Sequence, residues 1–240
     1  MNRRNDSDSM PVMIITGTSR GIGFELAKHY LDAGYTVAGC SRSRKAMDHP
    51  SYYHEELDIT DEKALIRFVK DVYKLYRRID VLINNAGVAS MNHLMLTPLS
   101  AVERIYKSNV FAPFVLIREV AKVMSKAKQG RIVNISSVAS ALDLEGEAAY
   151  ASSKAALESL TRIAAKELAP FNITVNALGP TPFDTALIRT VGSDKIDNLV
   201  QRQTIKRKAQ FSDIANVIDF FIRPGSSFVT GQVIYLGGIN

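Results

Sequence analysis

Seven short apolar runs, separated by longer segments of helical periodicity, constrain the fold of this chain most strongly. Strands are predicted at residues 12–16, 36–40, 52–57, 81–84, 131–136, 174–178 and 232–236, and helices at 22–33, 61–76, 100–126, 149–169 and 212–222. The runs are continuous rather than alternating, which indicates strands buried on both faces of a sheet. Their alternation with helices predicts right-handed crossovers and a parallel, doubly wound α/β sheet of seven strands.

The 240 residues are expected to form one domain, because 46% of them are hydrophobic and can supply one large core. No internal repeat or low-complexity linker divides residues 10–240, and the polar residues 1–9 are predicted to be a disordered tail. Pro180, Pro182 and the turn-forming residues 190–194 interrupt the helical pattern within residues 180–209. This segment is predicted to be either a lid-like cover for a substrate or a solvated pair of helices.

Composition argues against several functional classes. No apolar run approaches the roughly 18 residues of a membrane span, and the first ten residues contain no apolar export signal. The single cysteine, Cys40, excludes an intramolecular disulfide, so a reducing, cytoplasmic location is expected. The net charge of +6 raises nucleic-acid binding as an alternative, but the basic residues are scattered and residues 201–208, their densest cluster, lack interleaved aromatics. No membrane, nucleic-acid or metal partner is predicted.

A glycine-rich turn follows the first predicted strand and precedes the first predicted helix. Gly17, Gly21 and Gly23 are spaced G-x-x-x-G-x-G, with Ser19, Arg20 and Ile22 between them. Glycines at this position permit a tight turn and a close approach of the backbone to a pyrophosphate at a helix N-terminus. The pattern predicts a dinucleotide site in a Rossmann fold, against the alternative of a turn that serves packing only.

The residues after the second predicted strand indicate which dinucleotide binds. An acidic residue there would bind the adenosine ribose 2′-hydroxyl and select NAD. The chain instead has Ser41, Arg42 and Arg44 in this stretch and no carboxylate, while Arg20 lies in the glycine turn. Arginine forms strong, oriented bonds with phosphate, so the sequence favours NADP, used as NADPH.

Tyr150 and Lys154 are four residues apart, a spacing that places both side chains on one face of a helix. A nearby ammonium favours the phenolate and is expected to lower the tyrosine pKa, giving a group that exchanges protons near neutral pH. Such a pair alone is more often surface packing. Ser137, thirteen residues before Tyr150 at the end of an apolar run, strengthens the prediction of a nicotinamide-dependent oxidoreductase.

Five motifs in order resemble the short-chain dehydrogenase/reductase family over residues 10–238, particularly its 3-oxoacyl-carrier-protein reductases. The matching residues are Thr16-Gly17-x-x-x-Gly21-x-Gly23, Asp58, Asn84-Asn85-Ala86-Gly87, Asn109, Ser137, Tyr150 and Lys154. The resemblance implies an enzyme that reduces a ketone with NADPH and assembles as a homo-oligomer, commonly a tetramer.

The same resemblance implies a role for each catalytic candidate. Tyr150 would protonate the carbonyl oxygen, and Ser137 would hydrogen-bond that oxygen and stabilise its developing charge. Lys154 would lower the tyrosine pKa and bind the nicotinamide ribose. Asn109 would hold a water that links Lys154 to solvent, although an asparagine in this position could equally be an exposed helix residue.

The remaining matches would contact the cofactor. Asp58 would bond the adenine, and Asn85, Ala86 and Gly87 would line the ribose region. Pro180 would border the nicotinamide, and Thr185 would bind its carboxamide.

Two departures from the family pattern concern the site. Thr181 follows Pro180 where glycine is common, so the backbone beside the nicotinamide is expected to differ. Asp143, Glu145 and Glu147 precede Tyr150, and three carboxylates are unusual beside an acyl-carrier ligand unless they are solvated loop charges.

Three functions therefore stay open at the sequence level. The first is NADPH-dependent reduction of a ketone, with a 3-oxoacyl thioester on an acyl carrier protein as one candidate substrate. The second is a dehydrogenase of a sugar or secondary-metabolite alcohol, because the fold does not determine the substrate. The third is a non-catalytic nucleotide sensor. Apolar residues on more than one face of the predicted helices 100–126 and 149–169 predict a dimer or tetramer.

Overall fold

A computed structural model describes residues 10–43, 47–183 and 193–239. Its single sheet has seven strands in the order β3-β2-β1-β4-β5-β6-β7, with every neighbouring pair parallel. The strands are β1 Val12–Thr16, β2 Thr36–Ser41, β3 Tyr52–Glu56, β4 Val81–Asn84, β5 Gly130–Ile135, β6 Ile173–Gly179 and β7 Val233–Tyr235. The predicted seven-stranded parallel sheet is confirmed.

Eight α-helices accompany these strands in the described part of the chain. They are α1 Gly21–Asp32, α2 Glu62–Tyr76, α3 Leu99–Tyr106, α4 Ala112–Ala127, α5 Ala139–Leu142, α6 Ala148–Leu168, α7 Ser193–Gln201 and α8 Phe211–Ile222. Apolar side chains of α2, α4 and α6, such as Phe68 and Val120, pack in one core cluster. Those of α1 and α8, such as Leu26 and Phe221, pack in a second. The sheet is therefore doubly wound, as predicted.

The helix predicted at residues 100–126 is wrong in one respect, because α3 and α4 are separated by a π-helical turn, Lys107–Phe111. Pro113 in the first turn of α4 has no N–H, so the carbonyl four residues earlier lacks its usual α-helical donor. A π-helical turn lets the chain continue past this gap. Such turns occur frequently at functional sites.

The strand order reverses between the neighbouring strands β1 and β4. From β1 the chain adds β2 and β3 towards one edge of the sheet, and from β4 it adds β5, β6 and β7 towards the other. The loops after these strands are tied together, because Thr16 Oγ1 accepts hydrogen bonds from the backbone N–H groups of Asn85 (3.0 Å) and Ala86 (2.9 Å). A crevice at such a switch point is the usual ligand site of an open α/β sheet.

Only part of the lid-like segment, residues 180–209, is described. α7 lies within it, and Ala209 N donates to Pro182 O at 3.0 Å, so the two ends of the segment meet. The lid role stays a prediction, and the predicted tail, residues 1–9, falls outside the described residues. In the described ranges, the helices are all too short or too polar to span a bilayer.

Candidate active site

The four catalytic candidates lie around the carboxyl ends of β4 and β5. Ser137 follows β5 and shares a hydrogen bond with Tyr150, while Lys154 Nζ lies 5.7 Å from the centre of the Tyr150 ring. A Cβ on Gly87, after β4, would lie 2.9 Å from Asn109 Oδ1 and 3.5 Å from Lys154 Nζ. The fold thus brings together residues from four separate segments of the sequence.

Burial sets the proton affinities of Tyr150 and Lys154. Burial is the main reason that the pKa of Tyr150 is raised to about 12. The hydrogen bond with Ser137 lowers this pKa, and the Glu147 carboxylate raises it. The expected lowering of the Tyr150 pKa is therefore wrong for this structure. The Lys154 ammonium donates to Ile135 O at 2.8 Å instead of to the phenol oxygen, and desolvation is the largest influence on the pKa of Tyr150.

Lys154 is 4% exposed, and burial lowers its pKa to about 8 while the Glu158 carboxylate raises it. The side chain therefore remains mostly protonated at neutral pH and titrates just above it.

Asn109 is buried rather than exposed, since only 1% of it is accessible. Its amide accepts from Val88 N and donates to Val88 O, both at 2.9 Å, and also donates to Ser153 Oγ at 3.0 Å. The π-helical turn places Asn109 so that it holds the loop after β4 against α6.

The glycine turn has the shape that a pyrophosphate requires. Gly17 and Gly21 have φ angles of +77° and +62°, which side-chain-bearing residues rarely adopt. A Cβ on Gly23 would collide with Gly17 O. Within the described residues, α1 starts after Arg20 with no side-chain cap and no acidic residue in its first turn. Its unpaired N–H groups favour an anion, so the residues present fit the predicted dinucleotide.

The neighbouring turn after β2 carries the residues predicted to read the ribose 2′-phosphate. Arg42 is exposed there, and Arg20 is exposed in the glycine turn. Ser41 is buried, and its hydroxyl donates to Ser43 O at 2.9 Å, so Ser41 shapes the turn that carries Arg42. Arg44 falls outside the described residues.

A polar chain behind this turn was not predicted from the sequence. Tyr52 OH donates to Thr18 Oγ1 at 2.8 Å and lies 2.9 Å from His54 Nδ1, while His54 Nε2 lies 3.2 Å from Ser41 Oγ. The chain joins the glycine turn to the Ser41 turn through β3. The available signal was the two-residue spacing of Tyr52 and His54, which puts both on one face of a strand.

Three further cofactor candidates lie in the described residues. Asp58 is exposed, and its Oδ1 accepts from both Thr60 N and Thr60 Oγ1 at 2.9 Å. Ser19 and Ile22 are half-buried in the glycine turn. Thr185 falls outside the described residues.

Pro180 and Thr181 follow β6 directly. Thr181 is buried, and its backbone φ is outside the left-handed region, so a β-branched residue is accommodated there without that strain. Pro180 O accepts from Val138 N at 3.3 Å, which joins this loop to the Ser137 loop. The predicted disturbance of the backbone at Thr181 finds no support in these angles.

Comparison with known proteins identifies the family. The model of the family described as short chain dehydrogenase matches residues 11–196. The chain belongs to the short-chain dehydrogenase family. Its members are oxidoreductases, and the predicted resemblance is confirmed. The chain is 33% identical to the uncharacterized oxidoreductase YxjF of Bacillus subtilis, with 95% of this chain and 96% of the relative covered. It is 31% identical to the 3-oxoacyl-[acyl-carrier-protein] reductase FabG of Aquifex aeolicus, with 95% of this chain and 96% of the relative covered.

Solved structures of similar shape contain nicotinamide cofactors. ElxO with NADP bound matches at a TM-score of 0.87 and 28% identity, covering 95% of this chain and 97% of that one. An actinorhodin polyketide ketoreductase variant with NADPH matches at a TM-score of 0.88 and 26% identity, and the match covers 96% of this chain and 97% of that one. A 4-hydroxyisoleucine dehydrogenase complexed with NADH matches at a TM-score of 0.86 and 26% identity, and the match covers 96% of this chain and 98% of that one.

Proposed function

We propose that the chain is an NADPH-dependent reductase that converts a ketone to a secondary alcohol. The observation that carries this proposal is the convergence of Tyr150, Ser137, Lys154 and Asn109 beside a glycine turn shaped for a dinucleotide. The third function, a nucleotide sensor, would not require this complete set of proton-handling groups.

The chain's own residues handle the proton. NADPH, when bound, supplies the hydride that reduces the carbonyl carbon. The Tyr150 hydroxyl gives its proton to the carbonyl oxygen, and its raised pKa keeps it protonated and available across the neutral range. Ser137 Oγ accepts from Ala139 N at 3.1 Å, so its own proton can be donated to the same oxygen as negative charge develops.

Lys154 and Asn109 restore the proton on Tyr150. Lys154 lies beside the Tyr150 ring and has a pKa of about 8, so it can lose and regain a proton near neutral pH. Asn109 borders Lys154 across Gly87 and holds the loop through which solvent would reach the ammonium. Lys154 would also bind the nicotinamide ribose, and Asn85, Ala86, Gly87 and Pro180 would line the cofactor.

The preference for NADP over NAD rests on charge. Arg20 and Arg42 are exposed next to the dinucleotide turn, and residues 40–44 contain no carboxylate. An acceptor that could bind the 2′-hydroxyl of NAD is thus replaced by donors that suit a 2′-phosphate. Structural relatives crystallised with NADP or NADPH support this preference.

Two substrate classes fit the site. A 3-oxoacyl thioester on an acyl carrier protein is supported by the FabG relatives. The second class is a small polar alcohol such as a sugar, and the feature that raises it is the pair Asp143 and Glu145, which line part of an otherwise mostly apolar cleft of about 570 Å³ next to α6. Carboxylates there would repel an anionic carrier protein and accept hydroxyl or ammonium donors.

A cytoplasmic location belongs to the proposal. Cys40 is buried and unpaired, and burial raises its pKa to about 12, so this thiol is protected and fits a reducing compartment.

A panel of carbonyl compounds tests the function. NADPH consumption is followed with an acetoacetyl thioester, simple cyclic and aromatic ketones, and keto sugars, each repeated with NADH. We expect NADPH to be consumed with at least one ketone and NADH to be used more slowly. NADPH binding without turnover of any compound would favour the sensor function and contradict the reductase.

A further inference from the structure

Glu158 is a buried carboxylate one helical turn beyond Lys154 on α6. It is 5% exposed, which is costly for a charge unless hydrogen-bond donors surround it. Three hydroxyl groups do so: Ser136 Oγ donates to Oε1, Ser140 Oγ donates to Oε1 at 2.6 Å, and Tyr235 OH donates to Oε2 at 2.8 Å. These partners come from the loop after β5, from α5 and from β7.

The three hydroxyl groups border the loop that carries Ser137. Ser136 immediately precedes Ser137, and Ser140 Oγ also lies 2.7 Å from Ser137 O, so its single proton is shared between two acceptors. Tyr235, on β7, packs its ring against Gly179, the residue just before the Pro180 loop. The contact is so close that a Cβ at position 179 would collide with the ring. Glu158 therefore ties both loops that border the reaction site to α6.

The charge of Glu158 acts on Lys154. Residues four apart on a helix are neighbours, and the Glu158 carboxylate raises the pKa of Lys154 against the lowering by burial. Titratable groups near this pair include Tyr235 on β7 and Tyr150 and Arg162 on α6. Arg162 acts on Tyr235, and its charge opposes that of Glu158.

We propose that Glu158 is a positioning residue of the reaction site, which holds the Ser137 loop through its hydrogen bonds and places a negative charge one helical turn from Lys154. The role in turnover rests on the proposed reductase function. The effect on Lys154 does not, and it can be measured without cofactor or substrate.

Substitution Glu158→Gln separates charge from shape, because the amide oxygen can still accept from Ser136 and Ser140. Glu167→Gln is the matched control, since Glu167 is exposed on the same helix. Tyr235→Phe removes the hydrogen bond to Glu158 and the 3.4 Å contact with Ser140 Oγ, but no charge. Unfolding temperatures and circular dichroism establish that each variant is folded.

NMR of protein labelled with [6-¹³C]lysine measures the Lys154 pKa, with the resonance assigned by its loss in Lys154→Met. We expect the pKa to fall by roughly one pH unit in Glu158→Gln, as for the loss of a neighbouring opposite charge. It should stay at its parent value in Glu167→Gln and Tyr235→Phe. An unchanged Lys154 pKa in folded Glu158→Gln would overturn the proposal, whatever reaction the protein catalyses.

The pH profile of kcat/KM tests the role in turnover with the substrate found in the panel. Activity that needs the Lys154 ammonium declines as pH rises through its pKa, so this decline should begin at lower pH in Glu158→Gln. Tyr235→Phe should lower kcat by up to about 100-fold without moving the profile, because it disturbs position and not charge. A parent without reductase activity would refute the proposed function and leave the NMR result standing.

If Glu158→Gln does not fold, Glu158→Asp decides the question. It keeps the charge on a shorter side chain, so kcat should fall while the Lys154 pKa stays within a few tenths of the parent value. A parent-like kcat in Glu158→Asp would overturn the positioning role.

Discussion

The Tyr150 hydroxyl remains protonated at neutral pH because burial raises its pKa to about 12. A protonated phenol is an acid, which suits reduction, whereas oxidation of an alcohol needs the phenolate as a base. The Glu147 carboxylate strengthens this bias by opposing ionisation. At the residue scale, a protonated Tyr150 therefore supports the reductive direction that we propose.

The proposed preference for NADPH can also be tested at a single residue. Arg42→Ala should raise the Kd for NADPH by roughly 10- to 100-fold and leave the Kd for NADH almost unchanged, because only NADPH offers a 2′-phosphate to the guanidinium. Fluorescence titration measures both constants. Arg77→Ala, which removes an exposed arginine just after α2 and before β4, is the control. Equal losses for both cofactors would show that Arg42 does not read the 2′-phosphate.

At the element scale, the π-helical turn positions Asn109, and its hydrogen bonds to Val88 can be tested. Asn109→Ala removes the side-chain partner of the half-buried N–H and C=O groups of Val88, so the free energy of unfolding should fall by about 1–3 kcal/mol. Urea denaturation measures this loss, with Asn198→Ala on the exposed face of α7 as the control. A stability equal to that of the parent would mean that Asn109 does not hold the loop after β4.

The elements also show what the sequence could predict. Strands β1 and β4 were predicted at their observed bounds, because strands buried on both faces have uninterrupted apolar runs. The π-helical turn was missed, since Val110 and Phe111 continue a helical pattern and the missing N–H of Pro113 acts only through backbone bonding. The burial of Asn109 and the Glu158 cluster depend on contacts with residues distant in sequence, which periodicity does not reveal.

At the scale of the whole molecule, exposed aromatic and aliphatic side chains are the basis for predicting an assembly. Phe111 and Phe114 are 57% and 50% exposed, and Ile163 on α6 is 52% exposed, as expected for a second apolar stripe beyond the one that covers the sheet. We expect a homodimer or homotetramer at micromolar concentration, and Phe114→Glu should weaken it. Light scattering measures the mass. A fully active, monodisperse species near 26.5 kDa would contradict this prediction.

The substitution Tyr150→Phe tests the reductase function most directly, because it removes only the transferable proton. With the ketone that the parent reduces, we predict a loss of on the order of 10²–10⁴ in rate, while the Kd for NADPH stays within a fewfold of the parent value. NADPH consumption and fluorescence titration on the same samples measure the two quantities. A rate within threefold of the parent would contradict the assignment of Tyr150 as the acid and, with it, the proposed mechanism.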